Sequence, residues 1–312
     1  MPSLLKVEKI FSNGLHNAFT DIAFWKGYYY LAFRTGTAHS SPDGRITVIR
    51  SRNLEEWEHA ATLDVPGYDA RDPKLLPLEK QLILLTPCRR TNTERDNHLF
   101  YTKDGENWVG PKLCGPGYVF WRPHKYGDKI YLCAYKVTPD WSEGFEVHLM
   151  ESEDGLNWNY ISTVTRGRRA NETELLKIGG EFIAFIRTES EPRTMLVCTS
   201  SDKRSWNCRD TGRIIQGPLA FTVGGEIYIA GRYYPGDVFD PWKQKVGIFA
   251  FDRESLSFKH VLDLPNGGDS SYPGIVSIGG DRYAMSYYSS HEQPEEKKKG
   301  KVSDIYLAIL EF

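Results

Sequence analysis

The sequence predicts an all-β chain folded as a six-bladed β-propeller. Three observations support this fold class: an aromatic residue that recurs within a related phrase every 48 to 52 residues, six β-hairpin openings, and no segment with a helical period. The recurring aromatic positions are Trp57, Trp108, Trp158, Trp206 and Phe258. A period near fifty in a chain of short strands is typical of propeller blades, because each repeat is one supersecondary unit.

Each predicted blade opens with a short apolar strand, a turn at Gly or Asp, and a second strand rich in β-forming residues. The six openings pair 18–24 with 28–34, 72–77 with 81–87, 118–124 with 129–135, 172–178 with 181–187, 218–223 with 226–232, and 272–278 with 282–288. Gly-Gly pairs at 179–180, 224–225 and 279–280 are strong hairpin signals. We expect one domain over 1–312, with blades starting near 17, 69, 118, 171, 217 and 271. The N-terminal strand, 5–11, is expected to complete the last blade and so remove free edges.

Composition narrows the function classes. The formal net charge of the 312-residue chain is −2 with both signs mixed, which argues against a nucleic-acid partner. No signal peptide and no membrane span is visible, so a cytoplasmic protein is expected, or a secreted one whose signal was removed. Five cysteines without a CxxC pair predict buried thiols rather than a disulfide frame. No phosphate loop or metal-ligand spacing is found, so neither cofactor nor metal is expected. The charged run 292–301 is expected to form a solvated hairpin tip.

Three arginines occupy one predicted structural position. Arg34, Arg187 and Arg232 end the second strands of blades one, four and five. Equivalent positions of a propeller converge on one axis, and converging guanidinium groups repel unless an anion lies among them. Arginine also suits a carboxylate, which it binds through two parallel hydrogen bonds. We therefore predict a site for a carboxylated ligand; the alternative is three unrelated surface arginines.

Polar residues at the heads of the first strands form a second candidate set. They are Asn17 and Asp21, Asp69, Arg71 and Asp72, Arg122 and His124, Asn171 and Glu172, and Asp269 and Tyr272. A charged residue at the head of an apolar strand is costly unless it is paired or functional. We predict that Asp21, Asp72, Arg122 and Tyr288 contact substrate. Asp72 fits a turn with a local ion pair equally well, and Tyr272 also fits a residue packed in the channel.

Several segments resemble the sialidase (neuraminidase) superfamily of six-bladed propellers. The phrases 102–108 and 152–158 look like its aspartate boxes, and each is one residue shorter than the usual box. Segment 171–187 is similar to the family segment in which a glutamate precedes the second arginine of the carboxylate-binding triad. Segment 271–280 is similar to the one that carries the tyrosine nucleophile, and Arg232 lies between them, where the third arginine falls. The family's first arginine is absent from 16–21, and Arg34 is the candidate replacement.

The resemblance implies a retaining exo-glycosidase that acts on sialic acid or a related acidic sugar. In the family mechanism a tyrosine attacks the anomeric carbon, a glutamate takes its proton, and an acid protonates the leaving oxygen. The roles carried over are Tyr272 as nucleophile, Glu172 as its base, Asp43 or His39 as the acid, and Arg34, Arg187 and Arg232 as ligands of the substrate carboxylate.

Three alternatives use the same residues differently. In a polysaccharide lyase, an arginine neutralises a uronate carboxylate while His39, His16 or Tyr272 removes the neighbouring proton. A non-catalytic lectin binds the acidic sugar without turnover. A five-bladed glycosidase would use Asp21, Asp72 and Glu172, and the count of six blades argues against it.

Overall fold

The computed structural model describes residues 2–91, 94–137, 145–295 and 300–312. The chain divides into two compact units, unit 1 (1–113 with 262–312) and unit 2 (114–261). The strands form six antiparallel sheets, which are the blades of a β-propeller, so the predicted fold class is confirmed. Within the described ranges, the one helical turn is a 3-10 turn at Pro235–Asp237, and no helix is long and apolar enough to cross a membrane.

Unit 1 contains three sheets. The first has the order β2 (His16–Trp25), β3 (Tyr28–Gly36), β4 (Arg45–Ser51), β5 (Glu58–Leu63). The second comprises β6 (Asp69–Ala70), β7 (Lys74–Pro77), β8 (Leu82–Arg89), β9 (Arg95–Thr102) and β10 (Trp108–Pro116), with both β6 and β7 paired to β8. The third joins the chain ends, in the order β1 (Ser3–Phe11), β26 (Asp304–Glu311), β25 (Arg282–Ser289), β24 (Ser270–Gly279).

Unit 2 also contains three sheets. The first comprises β11 (Tyr118–Phe120), β12 (His124–Tyr126), β13 (Lys129–Val137), β14 (Phe145–Ser152) and β15 (Asn159–Arg166). The second has the order β16 (Thr173–Ile178), β17 (Glu181–Ile186), β18 (Leu196–Ser200), β19 (Asn207–Asp210). The third has the order β20 (Ile215–Val223), β21 (Glu226–Tyr233), β22 (Lys245–Asp252), β23 (Ser257–Asp263).

The apolar cores lie between neighbouring sheets. In unit 1, Trp25 and Ala32 of one blade pack with Leu75, Leu84 and Phe100 of the next. Central strands such as β8 and β17 are buried along nearly their whole length, which explains why their sequences are continuous apolar runs. Burial of these aliphatic and aromatic side chains fixes the position of each strand head, where the polar residues lie.

The recurring aromatic phrase forms a hydrogen-bonded turn. The Asp104 carboxylate accepts hydrogen bonds from the backbone amides of Glu106 and Asn107, and Asp154 accepts the matching pair in the next copy. Hydrogen bonds to the charged form lower the pKa of Asp104. After the turn, Trp108 packs against the core of unit 1, so each phrase ties the end of one strand pair to the apolar layer.

One prediction about cysteine is wrong. Cys198 and Cys208 are directly opposite each other on β18 and β19 and form a disulfide. Cys88 and Cys133 are buried thiols outside this disulfide, and Cys114 is a partly buried one. An odd count and the lack of a CxxC pair gave no sign of a cross-strand pair ten residues apart. Part of the predicted tip 292–301, residues 296–299, lies outside the described residues.

Candidate functional site

Three polar side chains of unit 1 meet at the carboxylate of Asp269; we call His16, His39, Tyr288 and Asp269 itself the Asp269 cluster. Oδ2 of Asp269 is 2.8 Å from Nε2 of His16 and 2.6 Å from Nδ1 of His39. The Tyr288 hydroxyl donates to Oδ1 over 2.9 Å. An ionised carboxylate can only accept hydrogen bonds. When Asp269 is ionised, each neighbouring group therefore donates a hydrogen bond to it, through Nε2–H of His16 and Nδ1–H of His39.

The strands of unit 1 explain how residues distant in sequence reach this point. His16 begins β2, Asp269 directly precedes β24, and Tyr288 lies on β25 opposite Ser271. His39 belongs to the loop between β3 and β4, where its backbone amide donates to the Gly300 carbonyl over 2.9 Å. The cluster therefore combines the heads of β2 and β24 and the end of β25 with one loop that is fixed by a backbone hydrogen bond.

The two histidines of the cluster lie in different environments. His16 is completely buried, and desolvation lowers its pKa although the nearby Asp269 opposes the shift. Its Nδ1 is buried and has no hydrogen-bond partner in the described part of the chain, so a second proton there would be unpaired. The His39 side chain is 42 % exposed. His16 is therefore the neutral, structural member of the pair, and His39 presents the solvent-facing ring.

Several non-glycine residues beside this cluster have a positive φ, as do others elsewhere in the chain. Phe19 has φ 61°, Tyr272 has φ 52° and the preceding Ser271 has φ 143°; Asp72 of the next blade has φ 42°. Phe19 and Tyr272 lie where the register of β2 with β3, and of β24 with β25, shifts by a bulge. Non-glycine residues with positive φ are uncommon and cluster at functional sites, where the surrounding fold holds them.

The strained residues pack together. The rings of Phe19 and Tyr272 are 4.9 Å apart, edge to face, and Thr20 donates from its hydroxyl to the Tyr272 carbonyl over 2.8 Å. The Phe19 ring also contacts His39 and Tyr288 at centroid distances of 5.4 and 5.5 Å. Phe19 is thus the shared apolar contact between Tyr272 and the Asp269 cluster. Sequence reasoning missed this residue, because nothing in its type signals a bulge.

Arg71 supplies a positive charge at the same place. Its guanidinium stacks over Phe19 at 4.6 Å and donates to the His39 carbonyl at 2.8 Å and to Oδ2 of Asp69 at 2.9 Å. Desolvation disfavours its charged form, but Asp72, Asp69 and Tyr272 outweigh that effect and raise the pKa of Arg71. Arg71 therefore stays cationic and interacts electrostatically with Tyr272.

Arg34 does not have the placement predicted for it. Its side chain is completely buried, and Nε donates to Oδ1 of Asp69 over 2.6 Å. The two terminal nitrogens donate to the Ala38 carbonyl and to Ser41. Since protein groups bind all three nitrogens of this guanidinium, Arg34 is a structural residue and not a ligand of the substrate carboxylate. Arg71 is the arginine of unit 1 that lies beside Tyr272.

Asp43 and Asp21 also differ from their predicted roles. Asp43 accepts hydrogen bonds from the amide and the hydroxyl of Thr37. Desolvation of Asp43 is outweighed by these bonds and by one from Ser41, so its pKa is lowered, which is the opposite of what a general acid requires. Asp21 is buried and accepts from the Leu75 amide over 2.7 Å. It links two blades instead of contacting substrate.

In unit 2 the predicted residues form two ion-paired groups. Arg187 pairs with Glu172 at 2.7 Å and with Glu189 at 2.7 Å. Arg122 donates to the buried Glu174 at 3.2 Å, and the same carboxylate is 2.5 Å from Nε2 of His124.

Arg232 is partly buried on β21, opposite Gln216 and Val246. The sequence predicts that Glu172 pairs with Tyr272 and that Arg187 and Arg232 meet at one anion. The structure tests neither prediction. They stay predictions, as does a substrate contact of Asp72.

The Asp269 cluster also has the donor set of a metal site. Nε2 of His16, Nδ1 of His39 and a carboxylate oxygen of Asp269 lie within 4.8 Å of one another. Ligand atoms around a tetrahedral ion at about 2.0–2.1 Å must stand roughly 3.3 Å apart. The nitrogen–oxygen distances of 2.6 and 2.8 Å are shorter and match hydrogen bonds. In this structure the distances from Asp269 to the two histidines are therefore those of hydrogen bonds and not those between two ligands of one metal ion.

Comparison with known proteins supports the fold. No protein-family model matches the chain. No curated protein sequence matches it either. A Dyadobacter fermentans protein of unknown function superposes with a TM-score of 0.84 at 19 % identity, over 100 % of this chain and 99 % of that one. Trypanosoma rangeli sialidase in complex with sialic acid gives 0.69 at 13 %, over 94 % and 54 %. A Bombyx mori GH32 β-fructofuranosidase gives 0.59 at 16 %, over 96 % and 61 %.

The chain thus spans just over half of the sialidase it matches. At these identities the likeness establishes a propeller fold, of the kind that glycoside hydrolases also have.

Proposed function

We propose that the protein is a retaining glycoside hydrolase for a sugar that carries a carboxylate, with Tyr272 as the nucleophile. The observation that carries this proposal is the strained bulge that holds Tyr272 against Phe19, next to the Arg71 cation. The Thr20 hydroxyl donates a hydrogen bond to the Tyr272 carbonyl and so helps to fix the backbone of this tyrosine. A positive φ at a non-glycine residue costs free energy, which packing elsewhere in the fold must offset.

The charge of the substrate explains why a tyrosine suits this role. A carboxylate nucleophile would be repelled by a carboxylate on the reacting carbon, whereas a phenol is neutral before attack. Tyrosine nucleophiles are the known exception to the two-carboxylate rule of glycoside hydrolysis. Arg71 adds a positive charge that stabilises the phenolate oxygen as it forms and attracts the substrate carboxylate.

The reaction would proceed in two displacements. The Tyr272 oxygen bonds to the anomeric carbon while the bond from that carbon to the leaving oxygen breaks. The phenolic proton passes to a general base, the role that the sequence predicts for Glu172, and the leaving oxygen takes up a proton from the acid. Water then attacks the same carbon, the bond to Tyr272 breaks, and the sugar is released with its original anomeric configuration.

A uronate lyase is the second candidate, and the His39–Asp269 hydrogen bond favours it. Nδ1 of His39 donates to Asp269, which leaves Nε2 as the basic nitrogen. In a lyase, that nitrogen would remove the proton beside the carboxylate while Arg71 neutralises the developing charge, and the glycosidic oxygen would leave from the adjacent carbon. The product would be an unsaturated uronate.

The test is a screen with chromogenic sialosides and with oligosaccharides of uronic acids, followed by NMR of the products. Retained anomeric configuration supports the hydrolase; ultraviolet absorbance of an unsaturated uronate supports the lyase. Sugar binding without turnover contradicts both and indicates a lectin.

Tyr272→Phe should lower hydrolysis by roughly 10³-fold or more, as removal of a nucleophile does, while product binding is retained. Tyr283→Phe is the matched control, since Tyr283 lies on β25 and packs against Phe312, away from the bulge. Full activity of the Tyr272→Phe enzyme would exclude this tyrosine from the mechanism.

A further inference from the structure

We infer that His39 is the general acid–base catalyst of this site and that Asp269, held by His16 and Tyr288, is the residue that positions it. The inference rests on the proposed hydrolase function and names the proton donor which that mechanism requires. It goes beyond the sequence prediction, which leaves Asp43 and His39 open as the acid and assigns no positioning role to Asp269.

The hydrogen bonds determine which nitrogen of His39 can react. Nδ1 donates to Asp269 over 2.6 Å, so Nε2 is the nitrogen left for proton exchange with a substrate. The side chain is part-exposed, whereas the rest of the cluster is buried or nearly so. His39 therefore has the arrangement of a catalytic histidine that a carboxylate orients through one ring nitrogen, on a side chain that is part-exposed.

The loop around His39 is fixed on both sides. Its amide donates to the Gly300 carbonyl at 2.9 Å, its carbonyl accepts from Arg71 at 2.8 Å, and its ring meets the Phe19 ring at 85°. The groups that would orient a reacting proton are thus immobilised before substrate binds, which is the condition for efficient proton transfer.

Asp269 is itself held from two further directions. Tyr288 donates to Oδ1, and His16 donates to Oδ2. His16 can do this as a neutral ring, because its other nitrogen is buried without a partner and could not accommodate a second proton cheaply. Neither the Tyr288 hydroxyl nor a neutral His16 ring adds a positive charge beside the carboxylate that His39 binds. Within the described ranges, the charged or titratable groups that surround His39 include Asp269, His16, Tyr288 and Arg71.

The proton balance is simple. In the first step the His39 imidazolium gives its Nε2 proton to the leaving oxygen as the Tyr272–carbon bond forms. In the second step the neutral imidazole takes a proton from the attacking water as the Tyr272–carbon bond breaks. His39 thus lends one proton and recovers one. The phenolic proton of Tyr272 passes in the first step to a general base, the role predicted for Glu172, and returns in the second; water is the only co-reactant.

A comparison of two leaving groups distinguishes a catalytic His39 from a His39 that only stabilises the fold. A nitrophenolate leaves without a proton, whereas an alkoxide needs one. His39→Gln and Asp269→Asn should therefore lower kcat by about 10²–10⁴-fold on an alkyl glycoside and far less on the nitrophenyl glycoside of the same sugar. His59→Gln is the matched control, because His59 is exposed on β5 and bonds Thr62. An equal loss on both substrates, or full activity on the alkyl glycoside, would overturn the role of His39.

A second readout needs no substrate. Nitrogen-15 NMR of the wild-type protein should show His39 protonated at Nδ1, and Asp269→Asn should shift that tautomer, because an amide can offer its own N–H to the ring. An unchanged tautomer would refute the positioning role of Asp269. Stoichiometric Zn²⁺ binding that displaces the Nδ1 proton would show a metal site instead.

The two proposals fail in different ways. Loss of turnover in Tyr272→Phe together with full activity of His39→Gln would contradict this inference alone. Absence of hydrolysis by the wild-type protein on every acidic glycoside would contradict the proposed function and, with it, the catalytic role of His39.

Discussion

Neutralising Asp69 should destabilise the protein far more than breaking an exposed ion pair of the same geometry. Nε of Arg34 donates to Asp69 at 2.6 Å, and Nε of Arg50 donates to Glu58 at the same distance. The first pair is 0 % and 7 % exposed, the second 15 % and 58 %. Burial lowers the pKa of Arg34 while Asp69 opposes that shift, so the buried guanidinium depends on its carboxylate.

Removing one partner of a buried pair leaves an uncompensated charge, and the expected loss in unfolding free energy for Asp69→Asn is about 3–5 kcal/mol. Glu58→Gln should lose at most about 1 kcal/mol, because solvent screens that pair. Urea denaturation followed by tryptophan fluorescence measures both losses as midpoint shifts. Equal losses would refute the assignment of Arg34 to a buried structural network and would reopen a role for it in substrate binding.

Two further predictions concern stability. In Gly44→Ala the new Cβ would lie 1.7 Å from an Asp69 carboxylate oxygen, so the Arg34–Asp69 pair must move and about 1–3 kcal/mol of unfolding free energy should be lost. Gly267→Ala is the control and should lose less, because the nearest atom to its new Cβ is at 3.3 Å. Equal urea midpoints for the two variants would contradict this prediction. Burial lowers the pKa of His98 and His148 below 6.5, so near that pH the unfolded chain binds more protons than the folded protein. The stability that depends on these two neutral rings should be full above about pH 6.5 and should fall as the pH drops below it. A urea midpoint that is unchanged between about pH 8 and about pH 5.5 would contradict this account.

Most of the fold could be predicted from the repeat period. Hairpin signals and recurring aromatic residues are local features, so the sequence alone predicted six blades, and the sheets confirm them. The cross-strand disulfide of Cys198 and Cys208 was not predictable, because it depends on the register of two strands and not on a spacing motif.

The candidate site was predictable only in part. Polar strand heads pointed to Tyr272, and the loop after β3 pointed to His39. The burial of Arg34 was not predictable, since the sequence does not show that Asp69 binds it in the interior. The bulge at Phe19 left no signal in residue type, because a positive φ is imposed by tertiary packing.

Trapping of the glycosyl–enzyme intermediate tests the central claim most directly. A fluorinated acidic sugar that forms the intermediate but slows its hydrolysis should, after digestion and mass spectrometry, add the mass of one sugar to the peptide that contains Tyr272. The account predicts that fragmentation places this mass on the Tyr272 oxygen and that Tyr272→Phe is unlabelled. Labelling of a carboxylate, or equal labelling of the variant, would contradict it.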